Sequence, residues 1–248
     1  MADPAPDLSV VVALFNEQDA VAELFQRLSS TLEATSASFE LVMVDDASED
    51  ETAPRLRQLE RHDHRVRVIE LAHNHGQAAA LACGLFEARG KVLVTMDGDL
   101  QNPPEEIPRL VRAITAGAAV ATGRRAQRHE APMRRLASRA IHWLARLFTN
   151  VNIEDFGGNF KAYRRDIVEP MRRSYILGEP LFPLALRGRP PVQEVTVDHA
   201  QRRFGRSRYN WKSNLRLLAA VLRSLFSFRA HPKASQQAPF AVRSWPRR

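Results

Sequence analysis

KVLVTMDGDLQNPPEEIP, residues 91–108, reads as a buried strand that runs into an acidic turn and then into a helix. Lys91–Met96 is an apolar run of strand length. Asp97-Gly98-Asp99 follows at its carboxyl end. Asn102-Pro-Pro-Glu-Glu-Ile107 is a helix start, with prolines in the first turn and acids near the N-terminus. A carboxylate at a strand end, with another two residues on, can grip a hard divalent cation, and the glycine lets the chain turn tightly. Mg²⁺ or Mn²⁺ so held bridges a diphosphate and offsets charge on a leaving group. The motif needs company, because 12 aspartates in 248 residues produce about half an Asp-x-Asp by chance. Its plain alternative is a capped turn.

The company lies upstream. Residues 8–15 (LSVVVALF) and 40–45 (ELVMVD) are continuous apolar runs that suit strands buried on both faces, and 66–71 is a third strand. Helical spacing spans 17–33, through Val21, Leu24, Phe25, Leu28 and Leu32, and helices also fit 50–62 and the Ala-rich 76–88. Downstream, strands fit 118–123, 157–163 and 192–198. Helices fit 133–148 and 211–228, with a short one from Arg165. Alternating strands and helices predict an α/β domain: a mostly parallel central sheet with helices on both faces. Such sheets bind ligands beyond the carboxyl ends of their strands. Four polar clusters stand there: Asn16-Glu17, Asp45-Asp46, His73-Asn74-His75 and Asp97-Gly98-Asp99.

Composition sets outer bounds. A single cysteine, Cys83, excludes an intramolecular disulfide framework and cannot build a thiolate metal site alone. The first seven residues are acidic and proline-rich, unlike a signal peptide, so a cytoplasmic site is expected. No window of about 18 apolar residues suggests a transmembrane helix. The net charge of +8 suggests an anionic partner. Nucleic acid is not expected, because the basic residues are not interleaved with aromatics, which make up only 7% of the chain. The segment Gly76-Gln-Ala-Ala-Ala has neither a dinucleotide fingerprint nor a P-loop.

The ordered set VVALFNE (11–17), VDDAS (44–48), NHGQAAAL (74–81) and MDGDLQNPPEEIP (96–108) resembles the inverting family 2 glycosyltransferases of the GT-A fold. Within them it is similar to the dolichol-phosphate mannose synthase and bacterial polyprenyl-phosphate glycosyltransferase group. DFGGNFKAYRRDIV (155–168) and HAQRRFGRSRY (199–209) resemble the same group. The resemblance implies a GT-A domain over residues 8–210 and transfer of a sugar from a UDP- or GDP-sugar to a polyprenyl phosphate. A soluble saccharide or protein acceptor is the alternative. It implies that Phe15, Asn16, Glu17 and Asp46 line the base and ribose pocket. Asp97 and Asp99 would hold the metal and diphosphate beside Gln101. Asp155 would be an acid of the catalytic region. Arg202, Ser207, Arg208 and Tyr209 would hold phosphate, and arginine's paired donors suit that task. Asp99, Asp155 and Arg202 are the residues expected to carry the reaction.

The chain departs from the group in places. Proline is usual where Ala13 stands, lysine at Gln77 and Arg208, and Gly-Asp-Phe where this chain has Gly158-Asn159-Phe160. A missing acid at 159 removes a candidate general base. A lipid monophosphate, already anionic at neutral pH, needs none. Many bacterial relatives end in two transmembrane helices; here two amphipathic candidates stand instead. In 133–148, Arg135, Arg139, His142 and Arg146 share a stripe opposite Leu136, Trp143, Leu144 and Leu147. In 211–229, Arg216 and Arg223 oppose Leu215, Leu218, Leu222 and Phe226. Both suit peripheral contact with the cytoplasmic face of a membrane. The group also allows a membrane partner protein or a homo-oligomer. Residues 1–7 and the basic tail 230–248 are expected to be disordered.

Overall fold

Leu8–Leu14 (β1) is buried at every position, which is why seven small or apolar residues follow one another without polar alternation. The computed structural model describes residues 4–125, 153, 156, 158–200 and 240–245. After β1 come α1 (Val21–Glu33), β2 (Phe39–Asp45), α2 (Thr52–His62), β3 (Val66–Leu71), α3 (Gln77–Glu87), β4 (Val92–Asp97) and α4 (Ile107–Thr115). They are followed by β5 (Val120–Arg125), β6 (Lys161–Arg164), α5 (Arg165–Ser174), α6 (Leu181–Ala185), β7 (Val192–Val197) and β8 (Val242–Ser244). The described strands form one sheet in the order β7-β5-β6-β4-β1-β2-β3-β8. Strands β1 to β4 are mutually parallel, as are β5 and β7. Only β6 and β8 run against their neighbours, so the sheet is mostly parallel as expected.

Alternate side chains of the central strands enter two cores. Val11, Ala13, Val42, Val44, Ile69 and Leu71 meet α3, α5 and α6 on one face. Val10, Val12, Leu14, Leu41, Met43 and Val68 meet α1, α2 and α4 on the other. Each large apolar side chain contributes about 1.5–3 kcal/mol by leaving water. Helix α3 packs closely on the sheet at Gly84. A Cβ on Gly84 would stand 2.4 Å from Val11 Cγ1 and 2.7 Å from Val44 Cγ2, so only glycine fits there.

Several boundaries differ from the sequence reading. Helix α1 starts at Val21, not at 17, because Asn16 takes a left-handed φ of 53° and the chain turns through Glu17, whose carbonyl accepts from the Ala20 N–H. The residue at the N-cap of α1 is therefore Ala20. Strand β6 begins at Lys161 rather than 157, because residues 158–160 are turned into the site described below. Strand β8 falls within the tail read as disordered. Phe240 and Val242 pack against the α3-side core, and Ser244 and Val242 pair with Glu70 and Leu71, so the open edge of β3 orders the segment. The N-terminal order also begins before residue 8. Asp7 accepts from the Ser38 hydroxyl at 2.7 Å and from Lys91 Nζ at 2.8 Å. The amphipathic stretches 133–148 and 211–229 lie outside the described residues.

Candidate active site

Four strand ends open on one edge of the parallel sheet, and hydrogen bonds between their loops build the site. The loop after β1 is laced to the loop after β2. Asn16 donates its backbone N–H to Ser48 Oγ at 2.9 Å, and its Oδ1 accepts from the Glu49 N–H at 2.8 Å. Glu17, buried, donates its backbone N–H to Thr52 Oγ1 at 2.9 Å. Gln18 continues the lacing to Asp50 and Glu51. Ser48 therefore serves the β1 loop. Asn16 and Ala47, with φ of 53° and 59°, take the left-handed backbone that two tight exits from a sheet require.

Asp46 is buried, at 2% exposure. Its Oδ1 accepts from the His75 N–H and its Oδ2 from the Gly76 N–H, each at 2.8 Å. Burial pushes its pKa up, and the two amide donors pull against that without cancelling it. The side chain expected in a base pocket is thus occupied, at both oxygens, in holding the entry to α3. Gly76 has a φ of 86°, a conformation that favours glycine, and places Gln77 as the first residue of the helix. Asp45, its neighbour, accepts from the Ser48 N–H through Oδ2 at 3.2 Å. Its Oδ1 is buried and meets no donor among the described residues. Burial foremost, then the nearby Glu70 and Asp50, raise its pKa against the pull of Ser48.

Asp97 ends β4, half-buried at the rim. Its Oδ1 accepts from Gln77 Nε2 at 2.6 Å and from Asn159 Nδ2 at 3.1 Å. Asp99 Oδ1 accepts from the Gln101 N–H at 3.1 Å. The turn between them differs from the sequence reading. Leu100, not Gly98, has the left-handed φ, at 59°. Gly98 is needed for space: it donates to the Ala13 carbonyl at 3.2 Å, and a Cβ would lie 3.0 Å from Leu14 Cγ. The Gln101 carbonyl accepts from the Ala200 N–H at 2.9 Å, which brings the start of the 199–209 segment to this turn. Asp155, Arg202, Ser207, Arg208 and Tyr209 lie outside the described residues.

The donor set suits a hard cation. Asp97 and Asp99 offer carboxylate oxygens, as Mg²⁺ or Mn²⁺ prefer. No group of three or more His, Cys, Asp or Glu side chains that could hold a metal occurs among the described residues. A cation here would take the rest of its shell from diphosphate and water, the usual arrangement for Mg²⁺.

The family model described as Glycosyl transferase family 2 matches residues 9–172, the sheet from β1 into α5. The chain belongs to glycosyl transferase family 2. Two relatives are named undecaprenyl-phosphate 4-deoxy-4-formamido-L-arabinose transferase. The one from Photorhabdus laumondii is 35% identical over 219 residues, which cover 88% of this chain and 67% of that one. The one from Yersinia pestis is 33% identical over 224 residues, 90% and 68% of the two chains. Solved structures share the fold at lower identity. Glucosyl-3-phosphoglycerate synthase from Mycobacterium tuberculosis, solved with Mn²⁺, UDP and glucosyl-3-phosphoglycerate, has a TM-score of 0.65 at 17% identity, covering 97% of this chain and 88% of its own. A mannosyltransferase from Pyrobaculum calidifontis, solved with GDP-Man and Mn²⁺, has a TM-score of 0.61 at 17% identity, covering 94% and 67%. The fold of this family 2 glycosyltransferase is the GT-A fold expected from its motifs.

Two polar residues of the site entered the sequence reading only as departures from a pattern. Gln77 and Asn159 reach the same oxygen of Asp97, although Asn159 is 62 residues further along the chain. Nothing in local spacing links them. The only signal was that both positions carry an unusual amide.

Proposed function

We propose that this glycosyltransferase moves a sugar from a nucleotide-diphosphate donor to a polyprenyl phosphate, with inversion at the sugar carbon. The observation that carries the reading is the meeting of the α3 entry and the segment before β6 on the Asp97 carboxylate at the end of β4, with Asp46 beyond β2 holding that α3 entry. The acceptor class follows from relatives named for undecaprenyl phosphate that are 33–35% identical over most of this chain.

Phe15, Asn16, Glu17 and Asp46 line the base and ribose, and Asp46 also holds the His75–Gly76 turn. Asp97 and Asp99 hold Mg²⁺ or Mn²⁺, with Gln101 beside them. Bound there, the cation would supply Lewis-acid charge that offsets the charge on the departing diphosphate. Arg202, Ser207, Arg208 and Tyr209 contact phosphate oxygens, and Asp155 borders the reacting centre. In the transfer, an acceptor phosphate oxygen attacks the anomeric carbon from the side opposite the diphosphate. The carbon–oxygen bond to the donor breaks, and the nucleoside diphosphate leaves with the electron pair. No proton has to move. Asn159 has no basic group to offer, and an anionic phosphate requires none. Positioning and charge neutralisation supply the rate.

No described helix is long and apolar enough to cross a membrane. The acceptor would be met peripherally at the cytoplasmic face, through the arginine-striped stretches 133–148 and 211–229. A thermal-shift panel of UDP- and GDP-sugars with Mn²⁺ tests the donor half. A donor at about 100 times its Kd stabilises the fold by about 2.7 kcal/mol, or about 5–10 °C in a chain of this size. No shift with any nucleotide-sugar, with or without metal, would refute the reading.

A further inference from the structure

Among the described residues three large apolar side chains are exposed: Ile176, Leu177 and Trp245. Two of them are consecutive, and the chain holds them on a fixed turn between α5 and α6. The Ile176 carbonyl accepts from the Glu179 N–H at 2.9 Å, and Gly178, at a φ of 81°, takes the left-handed step that a type II turn needs at its third residue. Both flanks of the turn are buried. The Tyr175 hydroxyl accepts from the Gly178 N–H at 3.2 Å, and its ring packs on Phe86 of α3 and on Phe240, with centroids 5.3 and 5.8 Å away. Glu179 is buried and pairs with Arg187, and Leu181 and Phe182 of α6 enter the α3-side core. Ile176 and Leu177 nevertheless stand 56% and 43% exposed. Their backbone is already ordered, so covering them with an apolar phase carries little further entropy cost.

The turn is tied to the site on both sides. Phe240 precedes Ala241, whose carbonyl accepts from the Ala72 N–H just beyond the carboxyl end of β3, on the edge where the site opens. The Phe182 ring centre lies 4.4 Å from Lys161 Nζ, and that ammonium donates to the Gly158 carbonyl, next to Asn159. The charge beside the turn is positive. Arg172 and Arg173 form the last turn of α5, immediately before it. The neighbouring acids are matched: Glu87 faces Arg172, Glu169 faces Arg165 and Glu179 faces Arg187. Exposed Arg173 is surplus positive charge, in a chain whose net charge is already +8. An exposed apolar pair with a cation at its base suits a membrane interface, where apolar side chains enter the acyl boundary and arginine meets lipid phosphates. We infer that the Ile176–Leu177 turn docks on an anionic lipid bilayer and holds the open edge of the site at the surface from which a lipid phosphate emerges. The inference rests on the reading of a lipid-borne acceptor, and it adds a contact separate from the stretches 133–148 and 211–229.

The test is co-sedimentation of the full chain with phosphatidylcholine vesicles, with and without phosphatidylglycerol. The parent should bind the anionic vesicles. About half of each apolar side chain is exposed, so burying those halves is worth about 10- to 100-fold in partitioning, and Ile176→Ser combined with Leu177→Ser should weaken binding by that factor. Arg173→Gln should weaken it about fivefold on anionic vesicles and leave neutral vesicles unaffected. Melting temperatures, and their shift by nucleotide-sugar with Mn²⁺, should match the parent in both variants. The double variant should transfer sugar to undecaprenyl phosphate more slowly than the parent in vesicles, but equally fast in detergent micelles. A double variant that binds anionic vesicles as tightly as the parent would overturn the docking surface. Loss of a dimer in gel filtration, with vesicle binding retained, would make the pair a contact between copies of this chain and overturn it too. A parent that binds neither vesicle, yet transfers sugar in micelles, would overturn the docking and leave the proposed function standing. A parent that shows no donor shift and no transfer in micelles would overturn both.

Discussion

Replacing Asp46 with alanine separates two roles that a strand-end aspartate can play. As a nucleotide ligand alone, it would affect donor binding and leave the fold unchanged. The geometry gives it a structural role first, since both carboxylate oxygens accept backbone N–H groups of the α3 entry, at 2.8 Å each. Asp46→Ala orphans two amides, at about 1–3 kcal/mol apiece. Relief from burying a charge works the other way, because burial raises the Asp46 pKa despite those donors. The net expectation is a loss of about 2–4 kcal/mol, which lowers Tm by about 5–15 °C. Donor affinity falls as well, because the His75–Gly76 turn that carries Gln77 is released. Thermal and urea unfolding, run beside donor titration, measure both effects. An unchanged Tm with donor binding abolished would refute the structural role and return Asp46 to the base pocket alone.

Other perturbations probe the frame beneath the site. Gly84→Ala gains about 1 kcal/mol of helix propensity but loses about 1–3 kcal/mol to overpacking against Val11 and Val44, so the urea midpoint should fall; a rise would contradict the close approach of α3 to the sheet. Glu40, 2% exposed, receives the Ser9 hydroxyl at 2.6 Å, the Arg67 guanidinium at 2.9 Å and the Arg89 side chain at 3.1 Å. Glu40→Ala leaves those groups facing a gap and should cost about 3–5 kcal/mol in equilibrium unfolding. Burial pushes the Glu40 carboxyl up, but Ser9, Arg89 and Arg67 outweigh it, so its pKa lies below the usual 4.5. Its contribution is therefore full above that value and is lost as pH falls through the lower folded-state pKa, so the parent should lose stability below pH 4.5 more steeply than Glu40→Ala. Burial pushes the Cys83 thiol up to about 12, so iodoacetamide should label it only as the chain unfolds; fast labelling of the native protein would show that α3 opens.

The parts of the fold that were legible in the sequence are those governed by short-range pattern. Strands β1, β2 and β4 announce themselves because burial on both faces forbids polar alternation, and their ends are marked by Asn16, Asp46 and Asp97. The boundaries that moved did so through tertiary contacts. Helix α1 starts at Val21 because the backbone and side chain of Asn16 are both used by the β2 loop. Strand β6 starts late because Thr95 and Gly123 draw residues 159 and 160 towards the site. Strand β8 is three residues long, and an open sheet edge orders it, so composition alone reads it as tail. The amide pair on Asp97 is the least legible feature. It depends on a meeting between α3 and the segment before β6 that no local rule foretells. Asp46 is marked as a site residue by its strand end, and the structure adds that both its oxygens hold the α3 entry.

Transfer itself is the most direct test. The protein, Mn²⁺ and undecaprenyl phosphate in anionic liposomes would be incubated with radiolabelled UDP- and GDP-sugars, and label counted in the organic phase. Lipid-borne label is expected with one of these donors, abolished by EDTA and by Asp97→Asn. No lipid-borne label with any donor, or undiminished transfer by Asp97→Asn, would contradict that expectation.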